Sequence, residues 1–201
     1  MPAMPMLVHD AVVFPGCTER LKIVDPVSIA MVRSCMSEKR TFGCIPMKAW
    51  RTEKVPVYAI GTEVEVLAIE ERGREVEVSV LGRRRLKVVE AIVLGGHPAA
   101  YTIEVDDMRN PSDGDEISML RQDISGLFER FAMRFPGRLV PLNEEVLASA
   151  SDEEFSFIIA GHVIFSRGDR VLLLEMTSTK DRLRREVDCM KAMPPVQGTL
   201  V

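Results

Sequence analysis

The longest regular pattern in the chain runs from Ile60 to Val93. Val64, Val66 and Ala68 alternate with Glu63, Glu65 and Leu67. Val76, Val78 and Val80 alternate with Glu75, Glu77 and Ser79, and Leu86 and Val88 alternate with Arg85 and Lys87. A period of two puts one set on each face of a strand, so the pattern predicts three consecutive strands with a buried and a wet face. Glu71-Arg72-Gly73 predicts a hairpin turn, and Gly82 predicts a second break before Arg83-Arg84-Arg85. Such a meander needs a second layer over its apolar face.

Upstream, Met4 to Val8 reads as a short strand, followed by an apolar stretch from Ala11 to Phe14 and a turn at Pro15-Gly16. Glu19 to Val24 alternates again. Asp25-Pro26 predicts a helix start, since Asp accepts from orphan amides and Pro fits the first helical position. Val27, Met31 and Cys35 recur at helical spacing, and the helix is expected to end near Ser37 to Arg40. Thr41 to Met47 returns to strand character. Lys48 to Pro56 is polar except for Trp50, the one tryptophan in the chain, and reads as a loop. After a loop at Gly95-Gly96-His97-Pro98, Tyr101 to Val105 is the last strand. The expectation for this half is about eight short strands and one helix.

From Asn110-Pro111-Ser112-Asp113-Gly114 onward the period changes. Ile117, Leu120, Ile124, Leu127, Phe128, Phe131 and Phe135 form one stripe on a helix from Asp115 to Phe135, which Pro136-Gly137 stops. Asn143 is placed to cap a short helix through Leu147. Ser151-Asp152-Glu153-Glu154 is a capping box, with Phe155, Ile158, Ile159 and His162 on one face behind it. Ser166 to Met176 is helical, and Thr179 is placed to cap a last helix through Leu183, Val187 and Met190. The fold class is therefore α+β. A β domain spans residues 1–109, a bundle of four or five helices spans 110–193, and 194–201 form a flexible tail.

The 201 residues carry a formal net charge of −4, which argues against a broad nucleic-acid-binding surface. No apolar run is long enough for a membrane span, and the N-terminus lacks the features of a secretory signal. Cys17, Cys35, Cys44 and Cys189 form no CxxC pair, so a reducing, cytoplasmic compartment is expected. There is no GxxxxGK[ST] and no GxGxxG, which excludes a nucleotide cradle of the usual kind. His9, His97 and His162 have no second ligand at metal spacing, so no cofactor or metal is expected. Asp106, Asp107, Asp113, Asp115 and Glu116 read as a solvated linker followed by helix N-terminal charge.

Two blocks carry a family likeness. The segment MPMLVHDAVVFPG, the strand from Arg20 to Val24 and the helix start DPVSIA resemble the opening of the Lon protease N-terminal domain. Ile60-Gly61-Thr62, then Val78-Ser79-Val80-Leu81-Gly82-Arg83-Arg84-Arg85, is similar to the family's second block, an apolar strand followed by Gly, two residues and Arg. The resemblance covers residues 4 to 107. A weaker one, in Val171 to Met176 and the helix holding Leu183, extends into the second half.

The resemblance implies a PUA-like β pseudo-barrel that recognises protein substrates, and a structural role for Arg85 opposite a carboxylate. Within these 201 residues no ATPase or peptidase region is expected. Asn110 to Asp115 superficially echoes the peptidase site, yet it lacks both the lysine and the serine. The expectation is a non-enzymatic polypeptide-binding protein, an adaptor or regulator in proteolysis. Its partners would be unfolded or exposed apolar segments and a protease. Phe42, Trp50 and Tyr58 are the candidate contacts, with Trp50 read either as a lid over the barrel edge or as a binding anchor. The alternative is an RNA-binding PUA-like module using Arg83, Arg84 and Lys87. No aromatic platform is interleaved with them, which disfavours base stacking.

Overall fold

Strand β5 runs unbroken from Glu75 to Leu94 and gives the rest of the sheet its register. Val76, Val78 and Val80 point into one core, and Leu86 and Val88 into another. The computed structural model describes residues 3–47, 55, 59–108, 110–134, 144–163 and 165–192, with backbone alone at 131–134 and 144. Along the first half, β1 (Met4–His9), β2 (Thr18–Ile23), α1 (Pro26–Ser37), β3 (Phe42–Pro46) and β4 (Ile60–Arg72) precede β5, and β6 (His97–Glu104) follows it.

The expected break at Gly82 does not occur, so two of the anticipated strands are one. Gly82 is the point where β5 passes against the chain between Phe14 and Cys17. Its amide donates to the Cys17 carbonyl at 2.9 Å, and its own carbonyl accepts from Gly16 N at 2.9 Å. A Cβ there would overlap the Phe14 carbonyl oxygen. Glycine in this strand permits close backbone approach. The Ala11 to Phe14 stretch forms no strand; Val12, Val13 and Phe14 bury their side chains from an irregular segment. Six strands result among the described residues, where about eight were expected.

The sheet order is β2-β5-β4-β3-β1-β6, and β6 also pairs with β5. The five strands β5, β4, β3, β1 and β6 therefore close on themselves as a pseudo-barrel, with β2 outside it on the first half of β5. β1 and β3 are parallel, which requires a crossover, and that crossover carries β2 and α1. α1 starts as its sequence dictates: Asp25 Oδ2 accepts from Ser28 N at 2.8 Å, and Pro26 takes the first helical position. Its Met31, Val32 and Cys35 pack with Leu21, Phe42, Val64 and Val78. Gly95 and Gly96, both at positive φ, make the tight turn from β5 into β6.

After a 3₁₀ turn at Pro111–Asp113 come, among the described residues, five helices: α2 (Gly114–Arg134), α3 (Glu144–Ser149), α4 (Asp152–His162), α5 (Arg167–Glu175) and α6 (Thr179–Ala192). The α2 stripe is present from Ile117 to Phe128, where Ile124 and Leu127 are buried and Ile117, Leu120 and Phe128 pack against them; the Phe131 side chain, Phe135, the stop at Pro136-Gly137 and the Asn143 cap lie outside the described residues. The capping box of α4 is complete, with Glu154 N donating to Ser151 Oγ and Ser151 N donating to Glu154 Oε2. Ser178, not Thr179, caps α6, since Ser178 Oγ accepts from Asp181 N. Thr179 sends its hydroxyl elsewhere, to Asp107. The fold is α+β, a pseudo-barrel with one helix followed by a helical bundle, as the resemblance implied. Val12, Phe14 and Cys17 enter the same core as Phe155, Phe157, Leu173, Leu183 and Val187, so the bundle and the barrel are packed on one another.

Candidate functional site

β5 alternation turns Arg85 away from Leu86 and Val88 and toward the helices, where it is 2 % exposed. A buried guanidinium needs acceptors for its fixed fork of donors. Arg85 Nη1 donates to the carbonyls of Met176 at 2.6 Å and Leu174 at 3.3 Å. Its Nη2 is paired with Asp107 and lies 3.4 Å from Glu153 Oε1. Asp107 is shared. Arg182 Nη2 donates to Asp107 Oδ2 at 2.6 Å, and the Thr179 hydroxyl donates to the same oxygen. Arg182 is itself fully buried; its Nε donates to Ser156 Oγ at 2.8 Å, and Ser156 donates to Glu186 Oε1 at 2.7 Å. Both guanidiniums lie on the Phe157 ring, 5.0 and 4.0 Å from its centroid.

This network shifts its own members. Burial pulls Arg85 below its ordinary value, and the charge of Asp107 opposes that. Burial alone would raise Asp107. The hydrogen bonds and charge of Arg182, with Thr179 and Arg85, outweigh it and hold the carboxyl below its usual range. Burial pushes Glu186 up to about 8, so it is a neutral acid at pH 7. The expected carboxylate for Arg85 is therefore found, and it is one of the residues that read as solvated linker.

Beside the network the surface opens into a cleft of about 560 Å³, between the 107–117 segment and the first turns of α4 and α6. Met108 stands at its rim, 72 % exposed, its amide held to the Thr177 carbonyl at 2.7 Å. Pro111 and Ile117 add apolar wall, and Glu153, Arg121 and Lys180 add charge. A shallower groove of about 350 Å³ lies between Met47 and α5, with Leu172 exposed in it.

The residues singled out in the sequence fall as follows. Phe42 has no accessible surface and packs under α1, so it cannot touch a partner: it sits on the inward face of β3. Trp50 and Tyr58 lie outside the described residues. Arg83 is paired with Glu65, and Arg84 Nε and Nη1 donate to Glu63 and Glu104 at 2.5 and 2.7 Å. Three glutamates thus face two arginines, which removes the positive field that phosphate binding depends on. Lys87 is half-buried further along β5. Among the described residues no group of His, Cys, Asp and Glu could hold a metal ion, and no helix is long and apolar enough to cross a membrane.

A closed barrel is thus clamped to a helical bundle, and an open cleft lies on the bundle side of the segment that joins them. The chain belongs to the family of the ATP-dependent protease La (LON) substrate-binding domain, whose model matches residues 2–192. Among solved structures it is similar to the N-terminal domain of the Mycobacterium avium complex Lon protease, at 16 % identity and a TM-score of 0.74. It is also similar to a Lon N-terminal domain protein from Xanthomonas campestris, at 20 % identity and a TM-score of 0.61. Each likeness covers 96 % of this chain and all of the other. At these identities the likeness is one of fold. No curated protein matches the sequence.

Proposed function

We propose that this chain is a non-enzymatic polypeptide-binding protein that docks exposed, weakly folded segments at the cleft between the 107–117 segment and the first turns of α4 and α6, and that it serves proteolysis in the cytoplasm as an adaptor or regulator. The observation that carries the reading is the family match over nearly the whole chain, which is to a substrate-binding domain. The cleft supports its location, because apolar wall and a few placed charges are what a peptide site needs. Trp50 and Tyr58, which lie outside the described residues, stay candidate contacts on sequence grounds alone. A disordered client loses conformational freedom on docking, so affinity is expected to be weak.

The test is fluorescence anisotropy of a labelled, reduced and carboxymethylated model protein titrated with the purified chain. Saturable binding at about tens of micromolar is expected, and its absence would sink the reading. Incubation with casein, with and without ATP, is expected to yield no cleavage products; cleavage would overturn the non-enzymatic part.

A further inference from the structure

We infer that the cleft selects segments carrying a basic side chain, with Glu153 as the carboxylate that receives it; this rests on the polypeptide-binding reading above. Four carboxylates and two cations line the cleft. The two cations are already committed. Arg121 Nη1 is 2.6 Å from Asp152 and also donates to the Ala150 carbonyl. Lys180 Nζ is 2.8 Å from Asp113. Asp107 is saturated by Arg85, Arg182 and Thr179.

Glu153 is different. Among the described residues its ion-pair partner is Arg85 alone, at the long distance of 3.4 Å, and Arg85 is already engaged by Asp107 and two carbonyls. Its side chain is one-third exposed and opens on the cleft. Burial first, then the charge of Asp107, pushes its carboxyl above the ordinary range, with Arg85 and Arg182 acting the other way. A further cation would relieve both effects.

The walls fit the rest of such a side chain. Lys and Arg lay an aliphatic stem along apolar surface while the head seeks charge. Met108, Pro111 and Ile117 supply that surface beside Glu153. An anionic ligand fits worse. The first turn of α4 already holds Asp152, Glu153 and Glu154, and that of α6 holds Asp181.

The experiment uses the whole chain and two short, end-capped, labelled peptides. One has a central arginine between leucines, and its twin has citrulline there, with the same shape and no charge. The arginine peptide is expected to bind about three- to ten-fold tighter. That ratio is expected to collapse toward one in Glu153→Gln. It should also collapse in Met108→Lys, which supplies a competing cation from an exposed position and leaves the Arg85 contacts intact. Equal affinity for the twins, or a ratio that survives both substitutions, overturns the inference. If the carboxymethylated protein binds while the twins do not differ, the basic-residue preference alone fails. If neither peptides nor protein bind, both readings fall.

Discussion

Arg182 reaches across the seam to Asp107: its Nη2 lies 2.6 Å from Oδ2, and neither side chain is more than 3 % exposed. Asp107 follows the last barrel strand and Arg182 sits on the last helix, so this pair ties together elements 75 residues apart in the chain. Arg85, from within the barrel, shares the same carboxylate.

Removing that carboxylate leaves two buried guanidiniums facing each other. Asp107→Asn is expected to cost about 3–5 kcal/mol, read by urea denaturation at pH 7. The group's folded pKa lies below its unfolded value, so its contribution is present above the unfolded value of about 4 and is lost as pH falls further. Wild type should therefore lose stability on acidification below about pH 4 more steeply than Asp107→Asn does. Parallel slopes would remove Asp107 from the clamp.

Glu186 has the opposite sign. Its folded pKa is about 8, above the unfolded value, so the folded chain holds a proton that the unfolded chain has released. Stability from this site is full below about pH 4 and declines as pH rises toward 8. Glu186→Gln keeps an uncharged side chain at every pH. It is expected to match wild type at pH 5 and to exceed it by about 1–3 kcal/mol at pH 9. Denaturation curves at the two pH values check this.

Gly82→Ala drives a methyl into the Phe14 backbone carbonyl, which no rotamer change can relieve. A loss of about 3 kcal/mol is expected. Gly73→Ala meets no neighbour but sits at φ +68°, so it should cost only about 1 kcal/mol, from backbone strain. Thermal melts of the two variants separate close approach from conformational freedom.

Replacing Arg83 and Arg84 together by Gln disrupts exposed ion pairs with Glu65, Glu63 and Glu104. Stability should change by less than about 1 kcal/mol, because such pairs are screened by water and salt. Neither wild type nor the variant is expected to retain RNA on a filter at physiological salt. Salt-dependent retention lost in the variant would revive the RNA reading.

Much of the fold was legible because local patterns agreed with it. The alternation in β4 and β5, the Asp25 cap, the α2 stripe and the Ser151 box all depend on residues close in sequence. The continuity of β5 was not legible, since a glycine that ends a strand and one that lets another chain approach look alike. The candidate site was the least legible part. Asp107 read as linker charge because its partners lie far along the chain. A signal was present: Arg182 and Glu186, four residues apart, run beside Leu183, Val187 and Met190, and α6 buries that flank too. Phe157 and Ser156 were missed for the same reason on α4, which is covered on more than one face. Phe42 was misplaced because an aromatic next to a variable loop gives no hint of which way its strand faces.

Closure of the barrel imposes an order of events on folding. β4, β5 and β6 meet through tight turns, so each pairing restricts little chain. The pairing of Met4 with Ala100 and of Pro5 with Ala99 restricts nearly half the molecule, and it gains nothing until both neighbours exist. The N-terminal strand is therefore the last stave of the ring to be seated. In pulse-labelled hydrogen exchange, amides of β5 should become protected before those of β1, and a mutation slowing the β4–β5 turn should delay both.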